Sequence, residues 1–156
     1  MIINFLKLLI ITSFFHALIV AHCQIPCGIY SDAKQIMQIK EDLQTIEKAM
    51  NSIIKLSTKS DPQTLNQINR WILAKEEHAQ NIQNITSEYF LTQRIKTNSK
   101  NYTEKVIILQ KLLVSIMKCK QTIDEKNIST SKSLLKSFSE LYFDEHGLDH
   151  LNNLEN

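Results

Sequence analysis

His22, Cys23 and Cys27 put an imidazole and two thiols into one short run, His22-Cys23-Gln24-Ile25-Pro26-Cys27-Gly28-Ile29-Tyr30. The run directly follows an apolar stretch ending Leu18-Ile19-Val20-Ala21. Cleavage after Ala21 makes His22 the new N-terminus. The mature chain then opens with a free α-amine, an imidazole and two thiols, and Pro26 and Gly28 bend the backbone between and after them. Such a set is a nitrogen and sulfur chelate for a thiophilic transition metal. A strongly binding metal can displace the Cys23 amide proton, giving fused rings through amine, amide nitrogen and thiolate. The Cys27 thiolate completes a planar N2S2 set. Square-planar geometry favours nickel(II) or copper(II), whereas soft thiolates reduce copper(II) or take zinc tetrahedrally. Nickel(II) fits the amide–thiolate set best, with the His22 imidazole as an axial donor that helps stabilise nickel(III). The same two thiols could instead close a small disulfide loop in an oxidising compartment.

The run has this chemistry only if the leader is removed. Residues 1–21 read as a secretory signal peptide. Lys7 and the initiator amine charge its n-region, Leu8-Leu9-Ile10-Ile11, Phe14-Phe15 and Leu18-Ile19-Val20 form its apolar core, and Ala21 is the small residue before the cut. Ile19 is bulkier than the usual residue at its position. The apolar run is shorter than the roughly 20 residues of a membrane span, which argues against an uncleaved anchor. The expected destination is the secretory-pathway lumen or the exterior, or the periplasm in a bacterium. Asn84-Ile85-Thr86, Asn101-Tyr102-Thr103 and Asn127-Ile128-Ser129 are sequons that a eukaryotic secretory pathway could glycosylate.

Residues 22–156 suit one domain with a modest core. Two glycines and two prolines in 156 residues leave little for turns, which argues against an all-β fold. Removing Lys7 from the 18 basic residues leaves 17 against 16 acidic ones. This near-neutral balance points to no nucleic-acid partner and to no membrane after leader cleavage. Cys119 lies between Lys118 and Lys120 and reads as a core or partly buried helical thiol. His146 and His150 are spaced i, i+4, but Gly147 lies between them in what reads as a tail, so solvated side chains are expected.

After Tyr30 the periodicity predicts four helices. The first, about 32–56, carries an a/d seam of Ile36, Ile39, Leu43, Ile46, Met50 and Ile53, with Lys40, Glu41, Asp42, Glu47 and Lys48 on the faces between. Asp61 as N-cap and Pro62 as first residue open the second helix. It runs to the mid-90s with Leu65, Ile68, Ile72, Ala79, Ile82, Ile85 and Tyr89 inward and Trp71 at the edge. Asn101 and Glu104 predict a capping box for the third helix, which takes Tyr102, Val106, Leu109, Leu113, Ile116 and Ile123 inward. Residues 124–127 read as a linker. The fourth helix, from about 129–131, uses Leu134, Leu135, Phe138, Leu141 and Tyr142, and Gly147 reads as a stop before a frayed end. The prediction is an all-α, up-and-down four-helix bundle over about 32–143, preceded by a metal-binding hook at 22–30 and followed by a tail at 144–156.

His-Cys-x-x-Pro-Cys-Gly-x-Tyr, here His22, Cys23, Pro26, Cys27, Gly28 and Tyr30, resembles the N-terminal nickel hook of nickel-type superoxide dismutase. Lys75-Glu76-Glu77-His78 and Ser87-Glu88-Tyr89-Phe90 are similar to segments of that family's second helix. The resemblance implies a four-helix bundle assembled as a homohexamer, with one nickel ion per subunit and superoxide as substrate. It implies that His22 binds through its amine and imidazole, Cys23 through its amide nitrogen and sulfur, and Cys27 through its sulfur. It places Tyr30 beside the open face, where it orders water or limits access. The implied reaction dismutates superoxide to dioxygen and hydrogen peroxide by nickel(II)/nickel(III) cycling. Three positions depart from the family pattern: Gln24 replaces a common aspartate, Gln38 a glutamate that orients the histidine, and His78 an arginine. Gln38 can still accept a hydrogen bond, without charge. Two other readings stay open. One is a secreted helical binding or signalling protein with a Cys23–Cys27 disulfide and no metal. The other is a metal-storage or delivery protein.

Overall fold

The computed structural model describes residues 31–155. They form α1 (Asp32–Leu56), α2 (Pro62–Asn84), a π-helical segment continuing α2 (Ile85–Arg94), α3 (Tyr102–Gln121), α4 (Glu125–Tyr142) and α5 (Glu145–Glu155). The first four α-helices make the expected all-α, up-and-down bundle. α1 packs chiefly on α2 and α3 on α4, and the α2–α3 and α1–α4 contacts close the bundle. The signal-peptide and hook expectations, residues 1–30, lie outside the described residues.

The seam of α1 behaves as its spacing predicts. Ile36, Ile39, Leu43, Ile46, Met50 and Ile53 are all buried. Sealing them from water is the main driving force for the α1–α2 pair. Asp61 caps α2 as expected: its carboxylate accepts from the Thr64 amide at 3.0 Å and from the Thr64 hydroxyl at 2.6 Å. These bonds hold its carboxyl below the usual carboxylate range.

The first half of α2 departs from prediction. Leu65 and Ile72 are exposed, and the apolar stripe begins at Ala79 and Ile82. Lys75 explains why. Its buried ammonium donates to the Cys119 carbonyl at 2.9 Å, to the Lys120 carbonyl and to Glu76 at 2.9 Å. The cation therefore satisfies carbonyls that the end of α3 leaves without helical partners. Because the two helices run antiparallel, residues of α2 before Lys75 lie beyond the end of α3 and lack its cover.

Boundaries shift elsewhere for local reasons. Asn101 adopts φ 57°, ψ 31° and makes no side-chain cap, so the predicted capping box does not form. This left-handed backbone is not the extended conformation from which a capping side chain normally reaches back to the helix. α4 begins earlier than expected because Asp124 caps it, accepting from the Lys126 amide at 3.0 Å. Ile128 is thereby drawn into the core, while Ile123 stays exposed between helices. Leu112, rather than Leu113, is the fully buried leucine at that level of α3.

The expected frayed tail is a fifth helix with Leu151 buried against the core. Gly147 does not stop a helix; it lies inside α5. A Cβ there would come within 2.8 Å of Phe143 Cδ1 and 3.2 Å of Asp144 Oδ1. The absent side chain lets the start of α5 close onto Phe143, while the Gly147 amide donates to Asp144 at 2.8 Å. Gly147→Ala is expected to lower stability by about 1 kcal/mol in urea unfolding, overpacking outweighing alanine's better helix propensity.

Candidate metal centre

His22, Cys23 and Cys27, the predicted metal donors, and Tyr30 lie outside the described residues. Among the described residues no group of three or more His, Cys, Asp or Glu side chains could hold a metal ion. His146 and His150 are exposed on α5, as expected of solvated side chains. Cys119 is a fully buried free thiol, near the Ser131 hydroxyl at 3.9 Å. Burial pushes its pKa up, although Ser131 and Lys75 act in the opposite direction.

The described structure begins where residues 22–30 join α1 in sequence. Ser31 alone separates Tyr30 from Asp32, the first residue of α1. The Asp32 carboxylate accepts from Arg94 Nη2 at 2.7 Å, from the Tyr142 hydroxyl at 2.7 Å and from the Tyr89 hydroxyl. Three elements thus converge on one carboxylate: the start of α1, the π segment and the end of α4. Tyr89 and Arg94 are five residues apart. In an α-helix that spacing turns two side chains well away from each other, whereas one i→i+5 turn stacks them on one face. The Arg94 guanidinium lies over the Tyr89 ring at 5.6 Å. The widened turn shows in the Ile95 amide donating to the Phe90 carbonyl at 2.9 Å.

Burial works to raise the Asp32 pKa, but hydrogen bonds from Arg94, Tyr89 and Tyr142 prevail and hold it below 3.8. Burial and Asp32 push the Tyr142 phenol up to about 12 and the Tyr89 phenol higher still. Both tyrosines therefore remain protonated donors at neutral pH. The folded-state pKa of Asp32 is depressed, so its contribution is complete above the unfolded value and is lost as pH falls through the folded one. Asp32→Asn is expected to cost about 2 kcal/mol at pH 7, by loss of charge-assisted hydrogen bonds. The difference from wild type should shrink below pH 3.8 in acid-unfolding curves.

A second polar cluster joins α1 to α2. Asp42 accepts from His78 Nδ1 at 2.7 Å, Asn81 Nδ2 at 2.6 Å and Gln38 Nε2 at 3.3 Å. Sequence patterning put Asp42 on a solvated face, yet it is 1% exposed. Its three donors make that burial tolerable. Two of the three departures, Gln38 and His78, are thus brought together on a carboxylate that the sequence reading missed, while Gln24 lies outside the described residues. Its position one residue before the seam residue Leu43, and four after Gln38, was the available signal. Because a carboxylate only accepts, His78 donates from Nδ1.

The family model described as nickel-containing superoxide dismutase matches residues 17–146. The chain belongs to this family. The match spans residues 22–30 and the whole four-helix bundle. As a nickel superoxide dismutase family member the chain is an enzyme, an oxidoreductase acting on superoxide. No curated protein and no solved structure gave a significant match. No helix among the described residues is long and apolar enough to cross a membrane.

Proposed function

We propose that the chain is exported, is cut after Ala21, and dismutates superoxide at a nickel centre held by His22, Cys23 and Cys27, one ion per subunit. The family match carries this reading, because it spans a run in which His22, Cys23, Pro26, Cys27, Gly28 and Tyr30 stand in register. The donor set fits nickel: two soft thiolates, an amine, an ionisable amide and an imidazole are the nitrogen and sulfur donors that would hold a thiophilic divalent ion. When bound, nickel supplies a one-electron couple to a reaction in which two superoxide ions and two protons give dioxygen and hydrogen peroxide.

The remaining work belongs to the chain. The His22 amine binds only when unacylated, so removal of the leader creates the site. Cys23 and Cys27 would hold the ion through thiolate sulfurs, and a proton taken up by either sulfur would lie close to substrate. Tyr30 orders water or restricts entry to molecules of superoxide size. Asp32, clamped by Tyr89, Arg94 and Tyr142, fixes the start of α1 just after Tyr30. Pre-positioning matters because this reaction class can approach the diffusion ceiling of about 10⁸–10⁹ M⁻¹s⁻¹.

The family resemblance also supports a homohexamer. Ile54, Leu65, Ile72 and Leu73 remain exposed on α1 and α2, large apolar side chains that association could cover. Native mass spectrometry of the full chain purified from an exporting host tests the reading. A subunit beginning at His22 with one nickel, in a six-fold assembly, is the expected result. A chain retaining its leader, or a metal-free chain with a Cys23–Cys27 disulfide after nickel has been supplied under reducing conditions, would overturn it.

A further inference from the structure

We propose that Asn101 is the N-glycan acceptor of this chain, an assignment that rests on the export reading and not on nickel. The fold presents the three sequons differently. Asn101 closes the turn before α3 at φ 57°, a conformation that asparagine enters more readily than most residues. Its side chain is exposed and makes no capping hydrogen bond. Thr103, which completes the sequon, is exposed as well. Both groups that define the acceptor therefore stand in solvent, Asn101 at the turn and Thr103 in the first turn of α3, where a bulky hydrophilic glycan can be carried without repacking.

In the other two sequons the acceptor asparagine itself lies within a helix. Asn84 sits in the continuous run from α2 into the π segment, where its Oδ1 accepts from Gln80 at 2.9 Å. Its Thr86 is fully buried. Asn127 is half-buried in the first turn of α4, and its Nδ2 donates to the Thr122 hydroxyl at 2.9 Å. The nitrogen that would bear the sugar is already engaged.

The step is a group transfer from a lipid-diphosphate-linked oligosaccharide. The Asn101 amide nitrogen forms the N–C bond to the sugar, the sugar–phosphate bond breaks, and the nitrogen loses one proton as the lipid diphosphate leaves. No change of oxidation state is involved.

The test is secretion of the full chain from a eukaryotic cell, once with its own leader and once with a heterologous signal peptide. Intact mass is measured before and after treatment with an N-glycan-releasing amidase, and the released site is mapped as Asn→Asp. The expected result is one occupied site at Asn101 in both arms. Thr103→Ala should remove it while leaving Asn101 in place. Asn101→Gly should also remove it and retains a residue suited to positive φ. A glycan at Asn101 only under the heterologous signal peptide would overturn export by the native leader, and with it the assignment for the natural chain. Secreted protein without a glycan, or with glycan on Asn84 or Asn127 and none on Asn101, would overturn the acceptor assignment itself.

Discussion

A Cys27→Ser chain is expected to lose superoxide dismutase activity by more than about 100-fold while keeping its bundle. Disturbing groups that merely support a metal ligand commonly costs 10–100-fold, so deleting a donor should exceed that. Serine replaces a readily ionised thiol by a hydroxyl that stays protonated near neutrality and is a harder donor. Cys23→Ser should behave in the same way. One residue added before His22 should be as damaging with no side chain changed, because it converts the α-amine into an amide. Activity by superoxide consumption, nickel content by elemental analysis and helicity by circular dichroism separate loss of the metal from loss of the fold. Cys119→Ala is the control and should retain activity, since its thiol is buried in the helical core. Full activity in the extended chain would sink the proposed ligand set.

Phe90→Ala is expected to destabilise the folded chain by about 4 kcal/mol. Phe90 is fully buried. Its ring meets Tyr89 at 5.2 Å, Phe138 at 5.1 Å and Tyr142 at 5.6 Å, each edge to face. Truncation loses the transfer free energy of the ring and leaves a void that aromatic neighbours on α4 and the π segment cannot easily fill. The same neighbours carry the hydroxyls that hold Asp32, so the damage should spread to the start of α1. Urea unfolding gives the free-energy difference, and a thermal midpoint lower by roughly 10 °C should accompany it. A loss below 1 kcal/mol would mean that the aromatic cluster is less tightly packed than described.

The fold was legible where burial follows a single period. The six-residue seam of α1 and the Asp61–Pro62 start of α2 follow directly from spacing and capping chemistry. Legibility failed where a long-range partner decides the outcome. Asp42 and Lys75 are charged residues taken inside by donors or carbonyls on other helices, and a one-dimensional pattern assigns such residues to solvent. The π segment failed for another reason: a 3.6-residue period cannot place Tyr89 and Arg94 on one face. Gly147 looked like a terminator because glycine ends helices, whereas its use here is close approach to Phe143. For the site the order is reversed. The hook was read from its residue types alone, while the clusters around Asp32 and Asp42 emerged only with the fold.

The burial of Cys119 bears on how this enzyme ages. Dismutation releases hydrogen peroxide beside the protein that makes it, and peroxide attacks thiolates far faster than thiols. Cys119 is the one cysteine among the described residues, wholly enclosed and with its ionisation discouraged. Sulfenic acid should therefore accumulate there only when the bundle opens. With the metal held by His22, Cys23 and Cys27 as proposed, a molecule that has lost its metal to oxidation should remain a folded bundle.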